Sequence, residues 1–158
     1  MTRPIIMTDA GCDLPGSFIA EKNIPFLGLT CHFKGKDYED DFGKSLSYAE
    51  FYGGLRNGEM PYTSQINEYR FAEKFKELLK EKRPIVYIGM SSAISGTFNS
   101  SKLARESIIS EFKDADITLV DSKGSSIGLG LLVYGACRMA EEGKSKDEIV
   151  KWLDDNKL

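Results

Sequence analysis

The side chains best placed to do chemistry sit in one short run: Ser91, Ser92, Ser95 and Thr97, with Gly96 among them. They follow an apolar, β-branched stretch, Pro84 to Met90, that reads as a buried strand. After Thr97 the pattern turns helical, with Phe98, Leu103, Ile108 and Phe112 as the expected buried side. A strand that runs into a Ser/Gly turn and then a helix leaves free backbone N–H groups at the helix start, a ready anion site. The hydroxyls add donors that carry no charge. Such a site holds a carboxylate or a phosphate. Serine and threonine are also ordinary helix caps. One helix needs one cap, and four hydroxyls are supplied here, which favours a function for the cluster as a whole.

Three other polar turns could join it. Thr8-Asp9-Ala10-Gly11-Cys12 ends the first apolar run, Ile5 to Met7. Asp121-Ser122 opens a hydroxyl-rich turn, through Ser126, after Ile117 to Val120. Thr63-Ser64-Gln65 lies in a polar loop, Met60 to Asn67. In open α/β sheets, ligands sit at the carboxyl ends of the strands. Asp9 could be a base, a metal ligand or a turn-maker. Glu39-Asp40-Asp41 is an acidic run more in keeping with a solvated loop than with a metal site. The three cysteines, Cys12, Cys31 and Cys137, form no CxxC pair and no zinc pattern and read as buried free thiols, although the place of Cys12 after its strand would also allow exposure. The single histidine, His32, lies in a β-like stretch. Any Ser-His-Asp triad or histidine metal site would have to be built on it.

The elements that must position these residues alternate strand and helix, which implies a parallel sheet flanked by helices. Ile24 to Phe33 reads as one strand, and Lys34-Gly35-Lys36-Asp37 as a turn into a return strand at Tyr38, a small β-hairpin. Asp13 or Ser17 is expected to cap a helix over Gly16 to Glu21, with Pro15 near its first turn. Ser47 with Glu50 suggests a capping box. The helix it starts places Tyr48, Phe51, Tyr52 and Leu55 at core spacing and stops at Asn57-Gly58. Asn67 should cap a helix from Glu68 to Lys82 with Phe71, Phe75, Leu78 and Leu79 inward. A helix from Ile127 to Glu142 contains Gly128, Gly130 and Gly135, which suggests close packing or ligand approach. It ends at Gly143, and Ser145 caps the last helix. Neither the dinucleotide fingerprint nor a P-loop is present.

The chain has 158 residues and a net charge of −3. That length suffices for one domain with a real core. The charge favours neither nucleic acid nor an anionic membrane surface. No apolar run is long enough to span a bilayer, so no transmembrane segment is expected. Met1-Thr2-Arg3-Pro4 leads into a strand without a signal-peptide pattern, and a cytoplasmic location follows as the expectation.

Taken in order, Thr8-Asp9 with Asp13-Leu14-Pro15, Thr63-Ser64-Gln65, Ser91-Ser92-x-x-Ser95-Gly96-Thr97 with Ser100, and Asp121-Ser122 make the chain resemble the first domain of the bacterial DegV family. The family usually has Ser where Ala10 stands, and Pro-Ser where Ile66-Asn67 stands. The resemblance implies a Rossmann-like sheet of the EDD-type fold and a protein that binds one long-chain fatty acid, such as a palmitate-, stearate- or oleate-like ligand. It places the carboxylate on Thr63 and Ser95 with backbone N–H groups around Gly96. Thr8, Asp9, Ser64, Gln65, Ser91, Ser92, Thr97, Asp121 and Ser122 are the supporting polar groups. It also implies no cofactor, no metal and no catalysis by the carrier itself. A separate ATP-binding fatty-acid kinase subunit would phosphorylate the bound acid to an acyl-phosphate. Members continue past the position of Leu158 into a second α/β domain. On that resemblance, residues 1–158 are expected to be the lipid-binding first domain alone, a fragment or truncated product.

Physical chemistry is consistent with that ligand. Charge-assisted hydrogen bonds are worth about 1.5–3 kcal/mol each. Burying a palmitate-length tail at about 0.8 kcal/mol per CH₂ gives on the order of 12 kcal/mol before entropy costs. The tail would set the affinity and the polar loops the orientation. The competing expectation is an Mg-dependent phosphatase, or another phosphate-binding α/β enzyme, using Asp9 and the Ser91–Thr97 loop.

Overall fold

The structure, a computed structural model, describes residues 2–157; Met1 and Leu158, the outer bounds of the expected domain, lie outside the described residues. Four parallel strands form the central sheet: β1 (Ile5–Asp9), β2 (Phe26–Leu27), β6 (Ile85–Gly89) and β7 (Ile117–Asp121), in the order β2-β1-β6-β7. Three antiparallel strands form a second, small sheet: β3 (Thr30–Phe33), β4 (Lys36–Glu39) and β5 (Tyr62–Ser64), in the order β4-β3-β5. The helices are α1 (Gly16–Glu21), α2 (Tyr48–Arg56), α3 (Glu68–Leu79), α4 (Thr97–Glu111), α5 (Ser126–Glu141) and α6 (Lys146–Asn156). A 3₁₀ turn, Ala10–Cys12, follows β1. The expected α/β architecture with a parallel sheet and a hairpin is the one observed.

Side-chain alternation along the buried strands divides the core in two. Ile6, Val86, Ile88 and Val120 face α5 and α6 and pack with Leu129, Val133 and Ile149. Ile5, Met7, Ile85 and Tyr87 face α3 and α4 and pack with Phe71, Phe75, Phe98 and Ile108. Strands buried on both faces in this way read as continuous apolar runs, which is why β1 and β6 stand out in the sequence. Asn67 caps α3 by accepting from Arg70 N–H at 3.0 Å. Ser145 and Glu148 form a full capping box on α6. Ser47 accepts from Glu50 N–H at 3.2 Å. Lys34 and Gly35 both have positive φ, 50° and 72°, as a two-residue hairpin turn between twisted strands requires.

Several local expectations are corrected. The stretch Ile24 to Phe33 is two strands, because the chain leaves the parallel sheet at Gly28 and pairs antiparallel from Thr30. Gly28 permits the switch: a Cβ there would lie 2.1 Å from the carbonyl oxygen of Asp40. The polar loop around Thr63 contains a strand, β5, held by β3. Neither Asp13 nor Ser17 caps α1; Pro15 holds that position, and Asp13 sits in the left-handed region, accepting from Ser126 Oγ at 2.6 Å. Leu103 and Phe112 are exposed: Leu103 lies about 140° around α4 from Phe98, and Phe112, in extended conformation at the C-cap, has left the helix. Phe98, Ser101, Ala104 and Ile108 form its inner side. On α2, Tyr48 and Tyr52 are 59% and 52% exposed and do not enter the core. Cys12 and Cys137 are buried free thiols as expected, and burial pushes the Cys12 thiol up to about 11, whereas Cys31 is only partly buried.

Candidate functional site

The polar turns at the carboxyl ends of β1, β6 and β7 lie along one edge of the parallel sheet and are tied to one another. Asp9 is the knot. Its carboxylate is wholly buried and accepts from Tyr87 Oη at 2.8 Å, Met90 N–H at 2.9 Å and Gly11 N–H at 3.1 Å. Burial raises its pKa, and the three donors offset part of that rise. The same environment drives the Tyr87 hydroxyl well above its ordinary range, by burial first and then by the neighbouring carboxylate. Thr8 is equally buried and donates to the carbonyl of Ile88 at 2.9 Å. A group enclosed and hydrogen-bonded in this way builds the edge of the sheet. It is not in reach of a substrate, so Asp9 does not have the environment of a metal ligand, base or nucleophile.

Asp121 makes the second tie. It accepts from Ser92 N–H at 3.2 Å and Ser92 Oγ at 2.6 Å, and from the Lys123 ammonium at 2.8 Å. Hydrogen bonds from Lys123 and Ser92 outweigh its partial burial and hold its pKa at about 2. Ser91 is buried, and its hydroxyl accepts from Ala93 N–H at 3.2 Å. Its N–H donates to the carbonyl of Gly124 at 2.9 Å. The Ser122 hydroxyl closes its own turn on Gly124. Ser91, Ser92, Asp121 and Ser122 therefore shape the loops, as the capping alternative for such hydroxyls anticipates.

Ser95, Gly96 and Thr97 start α4. The Ser95 hydroxyl accepts from Thr97 N–H at 3.2 Å and donates to Thr97 Oγ1 at 3.0 Å. Thr97, fully buried, receives Ile66 N–H on the same oxygen at 3.3 Å. That bond joins the helix start to the segment after β5. Gln65 adds a contact: a Cβ on Gly96 would lie 2.2 Å from its side-chain oxygen. The Thr63–Gln65 segment and the Ser95–Thr97 turn are thus brought together. Ser64 points elsewhere, to His32 Nε2 at 2.7 Å.

Thr63 is exposed and lines a cavity of about 290 Å³. The walls are mostly apolar and aromatic: Leu29, Cys31, Phe42, Tyr48, Phe51 and Tyr52, with Gly11 and Met90 from the sheet edge. The volume is at the lower end of small-molecule pockets, which run from about 300 to 1,000 Å³. The aromatic side chains of α2 that core spacing assigned inward form part of this wall. Asp40 stands at its polar side, its carboxyl pushed up by burial and by Asp13, Asp41 and Glu39. Ser95 and Gly96 are not among the lining residues. Sequence periodicity missed the cavity because it is enclosed by a hairpin, a helix and a strand edge distant in the chain.

Comparisons with known proteins bear on this arrangement. A family model described as "Uncharacterised protein, DegV family" matches residues 5–157. A DegV domain-containing protein of Clostridium perfringens is 45% identical over 157 residues, covering 99% of this chain and 54% of that protein. The chain spans about half the length of the curated relatives it matches. Among solved structures, a fatty-acid-binding DegV family protein from Thermus thermophilus superposes with a TM-score of 0.84 at 27% identity, over 97% of this chain and 52% of that one. A stearic acid-binding protein from Eubacterium ventriosum superposes with a TM-score of 0.86 at 26% identity, over 98% and 52%.

Proposed function

The chain belongs to the DegV family, and from that premise we propose that it binds one long-chain fatty acid through Thr63, Ser95 and the backbone of Gly96. The observation that carries the reading is Thr63: a hydroxyl on the wall of an apolar, aromatic cavity, two residues before Gln65, whose side chain meets Gly96 at the start of α4. The Ser95 hydroxyl, which donates to Thr97 in this structure, would turn its proton to the carboxylate. Thr97 would keep the loop closed through Ile66 N–H. The acyl tail follows the cavity wall, where desolvation supplies most of the binding energy.

The reading extends to a carrier with no catalysis of its own on the lipid, which presents the acid to a separate ATP-dependent kinase subunit for conversion to acyl-phosphate. Neutral donors support that role, since they hold a carboxylate without the strong pairing that an arginine would impose. Such a carrier would work in the cytoplasm, beside its ATP-using partner. Among the described residues, no helix is long and apolar enough to cross a membrane.

Mass spectrometry of an organic extract tests the binding. It is run on the purified chain and on a form extended to the length of its relatives. A stoichiometric long-chain acid in either supports the assignment and gives the chain length. Absence of lipid from both, after incubation with palmitate and oleate, rejects it.

A further inference from the structure

The cavity occupies one face of the small sheet, where Cys31, Tyr38 and Thr63 lie side by side across the strands. The opposite face carries an arrangement that lipid binding does not use. In an antiparallel ladder, alternate residues turn their backbone groups to opposite neighbours. Leu29 accepts from Asp40 N–H at 2.8 Å, so Leu29, Cys31 and Phe33 bond toward β4, and Thr30 and His32 toward β5. His32 and Asp37 are then a non-hydrogen-bonded pair, in which facing side chains stand closest. Ser64 pairs with Thr30 and is a diagonal neighbour of His32 on the same face.

That register places the Ser64 hydroxyl 2.7 Å from His32 Nε2 and the Asp37 carboxylate 2.6 Å from His32 Nδ1. One tautomer satisfies both contacts: Nδ1–H donates to Asp37, and Nε2 accepts from Ser64. Tyr62 stacks on the imidazole at 4.3 Å with the rings 19° apart, which fixes the ring plane. Glu39 is paired with Arg70, leaving Asp37 as the carboxylate that addresses the ring. Gln65 follows Ser64 just past the end of β5 and is exposed, so its N–H is assigned here as the donor to a substrate oxygen.

We infer that Ser64, His32 and Asp37 form a nucleophilic site that hydrolyses small activated esters, aryl esters above all, on the face of the sheet opposite the lipid cavity. The array has the connectivity of a serine nucleophile, its base and the group that orients the base. Ser64 Oγ attacks the ester carbonyl, forming a C–O bond, and its proton passes to Nε2. The oxyanion faces Gln65 N–H. Collapse breaks the bond to the leaving oxygen, which takes the proton from Nε2 and departs as the alcohol. Water then attacks the acyl-Ser64 carbonyl, giving a proton to Nε2, which returns it to Ser64 Oγ as the acid leaves. The sum is ester plus water to acid plus alcohol. The site lies open at the surface, so its substrates are small and depend on a good leaving group. Tyr62, 67% exposed, offers an aromatic surface to an aryl ester.

A fluorophosphonate probe tests the inference on the intact chain. Intact mass and peptide mapping should show one adduct, on Ser64, lost in Ser64→Ala and reduced about tenfold or more in His32→Gln. Asp37→Asn should lower turnover of p-nitrophenyl acetate about tenfold. Thermal melts confirm that each variant is folded. Absence of a Ser64 adduct overturns the assignment. So does ester hydrolysis that survives Ser64→Ala, which would make His32 a bare nucleophile with no serine partner. Both readouts are independent of fatty-acid binding.

Discussion

The edge of the parallel sheet and the small antiparallel sheet carry much the same residue types and use them in opposite ways. At the parallel edge, Thr8, Asp9, Ser91 and Ser122 are buried and turned on the protein itself. On the small sheet, Thr63 and Ser64 are exposed, one on a cavity wall and the other on an open face. Both regions look equally chemical as strings of Ser, Thr and Asp. Burial separates them. A buried polar group must find its partners inside the protein, and once it has them it has nothing left to offer a ligand. The closed edge builds, and the open sheet keeps its hydroxyls within reach of a ligand.

The largest expected effect comes from opening the closed edge. Asp9→Ala leaves the Tyr87 hydroxyl and the Met90 and Gly11 N–H groups without their acceptor. Each buried group left unsatisfied costs about 1–3 kcal/mol, so the variant should lose about 3 kcal/mol or more of unfolding free energy in urea titration. A loss below about 1 kcal/mol would mean that this edge is not the closed unit described.

Acid titration sharpens the same contrast by sign. Asp121, held at about 2 by Lys123 and Ser92 and only 13% exposed, is an acid depressed on folding. Its contribution, at most about 2 kcal/mol, is present above the ordinary carboxylate range and is lost as pH falls from about 4 toward 2. Asp121→Asn should flatten the stability profile across that window. Asp9, raised by burial, acts in the other direction: its contribution is present below the ordinary carboxylate pKa and fades as pH rises through its folded value. An unchanged acid profile in Asp121→Asn would remove the tie between β7 and the Ser92 loop from the account.

Gly96→Ala should have the smallest effect on the fold. The added Cβ meets the flexible end of Gln65, which can move aside, so the stability loss should stay below about 1 kcal/mol. A larger loss would show that the Gln65–Gly96 contact is part of the rigid edge and does not belong to the binding region.

Much of this frame can be read from local pattern. Strands buried on both faces, Asn67 and Ser145 as caps, and Lys34-Gly35 as a two-residue turn each declare themselves within a few residues. The reading fails where a long-range partner decides. Tyr62–Ser64 has the composition of a loop and becomes a strand because β3 lies beside it. Tyr48 and Tyr52 have core spacing on α2, but the surface they meet is a cavity. Asp9 looks like a candidate base or metal ligand until Tyr87 and Met90, some 80 residues away in sequence, enclose it. His32 has Asp37 close in sequence across the hairpin, but it gains Ser64 only from a separate strand. The family resemblance carried by the ordered motifs reaches further than any of them alone, because the order of the turns encodes which strand ends share an edge.

The central claim is that the open hydroxyl of Thr63, with Ser95, holds a fatty-acid carboxylate. The most direct test is the affinity for palmitate of Thr63→Ala and Ser95→Ala beside the unaltered protein, in the form that the extraction experiment shows to bind lipid. The account predicts a loss of about 1–3 kcal/mol in each variant with the unfolding midpoint nearly unchanged. Unaltered affinity in both variants would contradict it.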